Sequence, residues 1–302
     1  MKPDMTCDLG FVKLKNPVMT ASGTFGSGEE YSEFFDIGRL GAVVTKGVSA
    51  VPWEGNPSPR IAETHSGMLN AIGLENPGLD RFLEKDLPFL KKRGTAIGVN
   101  VCGHTEEEYL EVVRKLTDEA ISFLEINISC PNVKQGALAF GTDPAMVEKI
   151  TKEIKEATDK PVVMKLTPNV TDIKEIAKAA EAGGADGISL INTITGMKID
   201  IERQCFALAN KTGGLSGPAI HPIAVRMVYE ASNAVKIPVI GMGGIESWQD
   251  AVEMMLAGAD AVAIGAANFY NPAAALEIID GIERYLDDHC IDKVSDLVGA
   301  VR

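Results

Sequence analysis

Short apolar runs alternate along the chain with segments whose apolar positions recur every three or four residues. The short runs have the length of buried strands, and the segments between them have helical periodicity. This alternation is typical of a (β/α)8 TIM barrel, the α/β fold that we predict, with residues 1–302 forming a single domain. The eight expected strands are Pro17–Ala21, Ala42–Thr45, Ala96–Val101, Phe123–Ile128, Val162–Leu166, Gly187–Ile191, Pro238–Gly241 and Ala261–Ile264.

An open doubly wound sheet is the competing architecture for this pattern. It is disfavoured because no Gly-x-Gly-x-x-Gly fingerprint follows a strand near the N-terminus. Capping residues and proline at the first helical position mark the segments between the strands as helices. The expected helix starts are Thr105 with Glu108 as a capping box, Asp143-Pro144, Thr171, Ser247 and Asn271-Pro272.

Three of the connections are much longer than the roughly 2–6 residues usual for such turns. They are Gly47–Leu79, Ser129–Thr142 and Asn192–Ile220. All three leave the C-terminal ends of expected strands, which is the face of a barrel that carries the active site. We therefore expect long binding loops on that face.

Composition and charge narrow the class of protein. The chain is 45% hydrophobic and carries 29 basic against 42 acidic side chains, a net charge of −13, which argues against nucleic acid as a partner. We recognise no signal peptide and no run of about 18 apolar residues, so no membrane insertion is expected. The five cysteines are scattered without a Cys-x-x-Cys pair, so we expect no disulfide, zinc or iron–sulfur site and a cytoplasmic setting.

Cationic and amide side chains end several of the expected strands. Lys46 and Lys165 each finish an apolar run, where a lysine is partly desolvated unless it meets an anion. Asn100 and Asn127 end two further strands, and Asn192-Thr193 follows another. A ring of amides and cations suits a planar heterocycle with carbonyls, N–H groups and a negative substituent, although a lysine can also extend past a strand end to solvent.

Glycines follow the last two expected strands. The segments are Gly241-Met242-Gly243-Gly244 and Gly265-Ala266-Ala267. In barrels these two loops often bind a phosphate through backbone N–H groups, although a single Gly-Gly pair taken alone is more typical of an ordinary tight turn. A phosphate together with a polar ring indicates a mononucleotide cofactor such as FMN. Lys165 near the pyrimidine end of a flavin would then stabilise negative charge.

The stretch Asn127-Ile128-Ser129-Cys130-Pro131-Asn132 places a thiol just past a strand end. Proline at 131 stops the strand, so Cys130 and Asn132 are expected on the following loop. A buried, chemically inert cysteine with turn-forming asparagines is the alternative interpretation.

Several longer motifs resemble the dihydroorotate dehydrogenase family over essentially the whole chain. A cysteine at position 130 resembles the class 1 enzymes, and residues 140–144 and 214–218 resemble the class 1B catalytic subunit, which uses NAD. The motifs are residues 20–26, 56–60, 68–78, 127–132, 165–169, 191–193, 214–218 and 241–245.

The resemblance implies oxidation of (S)-dihydroorotate to orotate in pyrimidine biosynthesis. It implies that Cys130 removes the proton from C5 while hydride passes from C6 to FMN. The residues implied for substrate binding are Lys46, Asn70, Ala71, Ile72, Gly73, Leu74, Asn127, Asn132, Asn192 and Thr193. Those implied for FMN are Ala21, Ser22, Lys46, Gly47, Asn100, Asn127, Lys165, Ile191, Gly217, Gly243, Gly244, Gly265 and Ala266.

By the same resemblance, electrons continue to NAD through a second subunit that carries FAD and a [2Fe–2S] cluster. The expected assembly is a homodimer of this chain within a heterotetramer of two catalytic and two electron-transfer subunits. Alternatives stay open at this point: a class 1A enzyme that passes electrons to fumarate, a dihydropyrimidine dehydrogenase-like flavin barrel, or an aldolase-like barrel in which Lys165 forms a Schiff base.

Overall fold

Eight parallel strands close into a barrel in the computed structural model, which describes residues 2–129 and 141–301. Each strand pairs with its successor, and the last pairs with the first, so the predicted (β/α)8 fold is confirmed. The boundaries agree with the expected apolar runs to within one residue at every end. The strands are β1 (Val18–Thr20), β2 (Ala42–Val44), β3 (Ala96–Val101), β4 (Phe123–Asn127), β5 (Val162–Lys165), β6 (Gly187–Leu190), β7 (Val239–Met242) and β8 (Ala261–Ile264).

Alternate residues of each strand face opposite sides of the barrel wall, as the two-residue period of a strand requires. Val18 packs outward with the helices, whereas its neighbour Met19 packs inside the barrel. Phe123 also fills the interior, and a Cβ on Gly98 of β3 would come within 2.6 Å of its ring carbons. The interior of the barrel is therefore a packed core.

Helices cover the outside of the barrel and bury one apolar face each against it. Four of the helices in the described residues begin at a side chain that accepts a hydrogen bond from the first turn, which satisfies a backbone donor that has no partner within the helix. The helices are Leu79–Arg81 and Leu87–Lys91, which are joined by one π-turn over Phe82–Asp86, and then Glu106–Leu116, Pro144–Ala157, Ile173–Ala182, His221–Ser232, Trp248–Leu256 and Ala274–Asp288.

The expected helix starts are confirmed at three places. The Thr105 side chain accepts from the N–H of Glu108, and Asp143 accepts from Ala145 ahead of Pro144. Ser247 caps its helix in a full capping box with Asp250. The reciprocal half of the box expected at Thr105 is wrong, because the Glu108 carboxylate accepts from the N–H of His104 instead, at 2.6 Å.

Two other starts are shifted. The helix assigned to Thr171 is capped by Asp172, whose carboxylate accepts a hydrogen bond from the N–H of Lys174. The helix assigned to Asn271-Pro272 begins at Ala274, because Asn271 instead accepts a turn hydrogen bond from the N–H of Ala273.

Two of the long loops contain a sheet that the apolar pattern did not reveal. Ile61–Thr64 and Gly67–Asn70 come from the loop after β2, and Ile194–Met197 and Thr212–Ser216 come from the loop after β6. They pair into one four-stranded antiparallel sheet, which we call the roof sheet. Its strands have no regular alternation of apolar and polar residues, so periodicity could not detect them.

Short two-stranded ribbons complete the fold. Cys7–Asp8 pairs with Lys13–Leu14, and Ile199–Asp200 pairs with Cys205–Phe206. Within residues 2–129 and 141–301, no helix combines the length and the apolar character needed to cross a membrane.

Candidate active site

A cavity of about 550 Å³ lies between the C-terminal ends of the barrel strands and the roof sheet. Its volume falls in the range of small-ligand sites. Every residue predicted to bind substrate or cofactor lines this cavity, apart from Asn132. Asn132 and the predicted base Cys130 lie outside the described residues, so the cavity neither supports nor contradicts their roles.

The cavity has two chemically different ends. We call the part lined by Lys46, Asn100, Asn127 and Lys165 the lysine end; it is built on β2 to β5. We call the part lined by Gly217, Gly243, Gly244, Gly265 and Ala266 the glycine end; it includes the residues that follow β7 and β8.

A buried charge pair underlies the lysine end. Lys165 Nζ lies 3.6 Å from Glu125 Oε2 and donates to Ser22 Oγ at 2.9 Å. Glu125 also accepts from Asn100 Nδ2 at 2.6 Å and from Ser189 Oγ at 2.8 Å. Because both charges are almost fully buried, these hydrogen bonds offset the cost of removing them from water.

Sequence reasoning missed Glu125 and Ser189 as parts of this network. A detectable signal was present for Glu125, because a carboxylate stands in the middle of the apolar run Phe123–Asn127, two residues before Asn127 and on the same face. The anion that Lys165 was expected to meet is thus supplied partly by the protein itself. Ser189, a small residue in β6, gives no comparable signal.

Asn100 presents a polar atom that has no partner within the described chain. Its Nδ2 is held by Glu125, and its Oδ1 is buried without a hydrogen bond. A Cβ placed on the cavity residue Gly47 would lie 3.2 Å from this oxygen. An unsatisfied buried acceptor beside a cavity matches the N–H group of a planar heterocycle.

Lys46 lies just beyond β2 at the same end. Burial lowers the pKa of the Lys46 ammonium, and the nearby Glu75 carboxylate partly opposes that effect. Glu75 is itself held by Arg60 at 2.7 Å. Lys46 is therefore a partly desolvated cation facing the cavity, as an anionic ligand group requires.

Amide and hydroxyl groups form a continuous chain along one wall. Ser129 Oγ donates to Asn127 Oδ1 at 2.6 Å and accepts from Asn192 Nδ2. Asn192 Oδ1 in turn accepts from the N–H of Thr193 at 2.7 Å. From the roof sheet, Asn70 Nδ2 donates to the carbonyl of Gly214. These bonds hold several amides in fixed orientations around the cavity.

The glycine end exposes backbone rather than side chains. Gly243 and Gly244 have φ angles of +131° and +69°, which side-chain-bearing residues rarely adopt. A Cβ on Gly244 would lie 2.8 Å from the Gly217 carbonyl oxygen. Lys46 and Lys165 are the cationic side chains among the described lining residues, so no Lys or Arg side chain lines the glycine end.

One carboxylate, Glu246, does lie near the glycine end. Its Oε1 accepts from the hydroxyl of Tyr270, and both side chains line the cavity. Burial raises the pKa of the Glu246 carboxyl, and the charge of Asp250 adds to the increase. Among the described residues, the donors available to an anion at this end are therefore backbone N–H groups.

Comparison with known proteins matches the chain, over nearly its whole length, to a single protein family. The family profile described as dihydroorotate dehydrogenase matches residues 5–286. A relative from Lachnoclostridium phytofermentans is 63% identical over 96% of this chain and 97% of its own length, and one from Alkaliphilus metalliredigens is 59% identical over 99% of each. A third, from Trichlorobacter lovleyi, is 54% identical over 100% of this chain and 99% of its own length. All three are named dihydroorotate dehydrogenase B (NAD(+)), catalytic subunit.

Proposed function

The chain belongs to the dihydroorotate dehydrogenase family, and from this premise we propose that it oxidises (S)-dihydroorotate to orotate in pyrimidine biosynthesis with a bound FMN. The observation that carries the proposal is the single cavity lined by all the predicted binding residues within the described chain. These residues lie far apart in the sequence, and they meet on the face where barrels place their chemistry.

The two ends of the cavity fit the two ends of FMN. The unpartnered Asn100 Oδ1 suits a ring N–H, and the glycine end suits a phosphate bound by backbone N–H groups. All thirteen residues predicted to contact FMN line the cavity: Ala21, Ser22, Lys46, Gly47, Asn100, Asn127, Lys165, Ile191, Gly217, Gly243, Gly244, Gly265 and Ala266. When bound, FMN supplies the acceptor for the hydride that leaves C6 of dihydroorotate.

Cys130 is the proposed base that takes the proton from C5 of the substrate onto its sulfur. Its thiolate is the reactive form, so the role requires surroundings that favour the deprotonated sulfur. Cys130 follows Ser129 directly in the sequence, and Ser129 is hydrogen-bonded to the cavity-lining residues Asn127 and Asn192. This placement and the family resemblance support the role.

Lys46 and the amides are proposed to hold the substrate. The Lys46 ammonium would pair with the carboxylate of dihydroorotate, which also offsets the cost of its burial. Asn70, Asn127, Asn132 and Asn192, with Thr193, would hydrogen-bond the ring carbonyls and N–H groups, and residues 71–74 would complete the pocket. Lys165, held by Glu125 and Ser22, would stabilise negative charge at the pyrimidine end of the flavin.

The onward path of the electrons is proposed to need a second subunit. The relatives are named as catalytic subunits of an NAD(+) enzyme, which implies another component. The five cysteines of this chain include no Cys-x-x-Cys pair to hold an iron–sulfur cluster. We propose a partner with FAD and a [2Fe–2S] cluster, in a cytoplasmic heterotetramer built on a homodimer of this single-domain chain.

The visible spectrum of the purified chain under argon tests the function. The chain should be yellow, and dihydroorotate should bleach the flavin absorbance near 450 nm. Dihydrouracil, which lacks the carboxylate that Lys46 would bind, serves as the matched control and should bleach it far more slowly. A colourless chain that cannot be reconstituted with FMN would contradict the proposal. Rapid NADH formation by the chain alone would contradict the partner route.

A further inference from the structure

We propose that His221, which has no place in the function above, is a positioning residue that orients the backbone N–H of Gly244 toward the flavin phosphate; the inference rests on the proposed FMN site. His221 is the first residue of the helix His221–Ser232 and is buried. It does not line the cavity, so any effect on a ligand must act through the loop that does.

The first contact joins His221 to the glycine loop. Its Nδ1 lies 2.9 Å from the carbonyl oxygen of Gly243. A carbonyl oxygen only accepts, so the hydrogen of this bond sits on Nδ1. The close approach depends on glycine, because a Cβ on Gly244 would lie 2.8 Å from the Cβ of His221.

Because the peptide bond is planar, the contact at the Gly243 carbonyl also fixes the direction of the Gly244 N–H. The carbonyl of Gly243 and the N–H of Gly244 belong to one planar trans peptide and point in opposite directions. With the carbonyl held toward His221, the N–H of Gly244 points away from it, to the cavity side of the loop. The described residues provide no acceptor for that N–H, which leaves it available for an anion.

The other ring nitrogen of His221 faces two carboxylates. This Nε2 lies 3.2 Å from Glu253 Oε2 and 3.9 Å from Asp250 Oδ1, both on the helix Trp248–Leu256. Asp250 is already fixed, because its other oxygen accepts the hydrogen bonds of the Ser247 capping box. The ring is thus held between a helix that follows β7 and the loop that ends β7.

Among the described lining residues, no lysine or arginine lies at the glycine end, so the direction of the backbone donors matters there. Both glycines of the loop have positive φ angles and no side chain to restrict them, so the peptide between them has much conformational freedom. A phosphate bound by backbone donors depends on their preorganised direction. His221 supplies that direction without contacting the ligand.

The test compares the affinities of flavin-free chains for FMN and for riboflavin, which lacks the phosphate, by quenching of flavin fluorescence. His221→Leu should weaken FMN binding about tenfold, the usual worth of one hydrogen bond, and leave riboflavin binding within about twofold. His221→Asn, whose amide N–H occupies the position of Nδ1–H, should restore most of the FMN affinity. His289→Leu, at an exposed histidine away from the cavity, is the matched control and should change neither affinity.

Glu253→Ala provides a second variant should His221→Leu fold poorly, since Glu253 is exposed and contacts the ring at Nε2, on the side away from Gly243. It should weaken FMN binding a few fold, again without changing riboflavin binding. Equal losses for both flavins, or no loss for FMN, would overturn the inference. The side chains of His221, Asp250 and Glu253 also lie close enough together to hold a metal ion. An FMN affinity of the unsubstituted chain that falls with EDTA would therefore overturn the inference too. Binding of neither flavin by that chain would instead refute the proposed function.

Discussion

The lysine end and the glycine end of the cavity are formed by different parts of the chain, the first by side chains and the second by backbone. The lysine end is made of charged and amide side chains that are buried and bonded to one another, as in the contacts of Lys165 with Glu125 and Ser22. The glycine end is made of backbone, and its lining includes no lysine or arginine among the described residues. Substitutions at the first end should change charge and chemistry, whereas substitutions at the second should change shape.

The largest expected effect concerns the proposed base, Cys130, which lies three positions after the lysine-end residue Asn127 in the sequence. Cys130→Ala should slow reduction of the flavin by dihydroorotate about 10²–10⁴-fold, the usual worth of a positioned base, and leave FMN bound. Anaerobic stopped-flow absorbance measures this rate, and Cys102→Ala, at another cysteine near the cavity, is the matched control. An unchanged rate in Cys130→Ala would remove the proposed base.

The buried pair should dominate stability at the lysine end. Glu125→Leu leaves Lys165 as an uncompensated buried charge, so the free energy of unfolding of the flavin-free chain should fall by about 3–5 kcal/mol. Urea denaturation measures the loss, and adding Lys165→Met should recover much of it. Glu111→Leu, which breaks an exposed ion pair with Lys115, should cost about 1 kcal/mol or less. Similar losses in the free energy of unfolding at both sites would mean that the buried pair stabilises the fold no more than the exposed pair does.

At the glycine end, the addition of a single methyl group should be enough to weaken binding of the cofactor. Gly244→Ala adds a Cβ 2.8 Å from the Gly217 carbonyl oxygen and should reduce FMN affinity about 10–100-fold, as for lost hydrogen bonds to a charged group. Gly94→Ala is the matched control, because Gly94 has a similar φ of +67° and no atom within 4 Å of the added Cβ. Gly94→Ala introduces the backbone strain of a positive φ without a steric clash, so FMN affinity should not change. Fluorescence titration of both variants separates strain from loss of the site.

The smallest effect is a pH dependence from Lys46. Burial lowers the pKa of its ammonium in the folded chain below the ordinary value of 10.5, so the unfolded chain binds more protons between the two pKa values. The free energy of unfolding should therefore rise with pH through that window. Below the folded pKa both states are protonated and the slope vanishes. Urea denaturation of the flavin-free chain and of its Lys46→Met variant at several pH values isolates the contribution of Lys46 to the free energy of unfolding. Parallel pH profiles of the two proteins would contradict this contribution.

Local signals in the sequence account for the barrel. A strand in a closed parallel barrel is buried on both faces, so it stands out as a short apolar run, and β3 and β8 were predicted to the residue. Helix caps are similarly local, since the Asp143 side chain reaches only two residues ahead. The glycines that follow β7 were visible for the same reason, because a positive φ is a requirement of one residue.

Only the tertiary structure decided which distant groups meet. Glu125 and Lys165 are forty positions apart and become partners because β4 and β5 are neighbours in the barrel. The roof sheet likewise joins a strand from the loop after β2 to one from the loop after β6, and neither has a pattern of its own. Residue types along a chain determine local conformation, whereas the pairing of charges and the contact between His221 and Gly243 depend on distances that exist only once the barrel has closed.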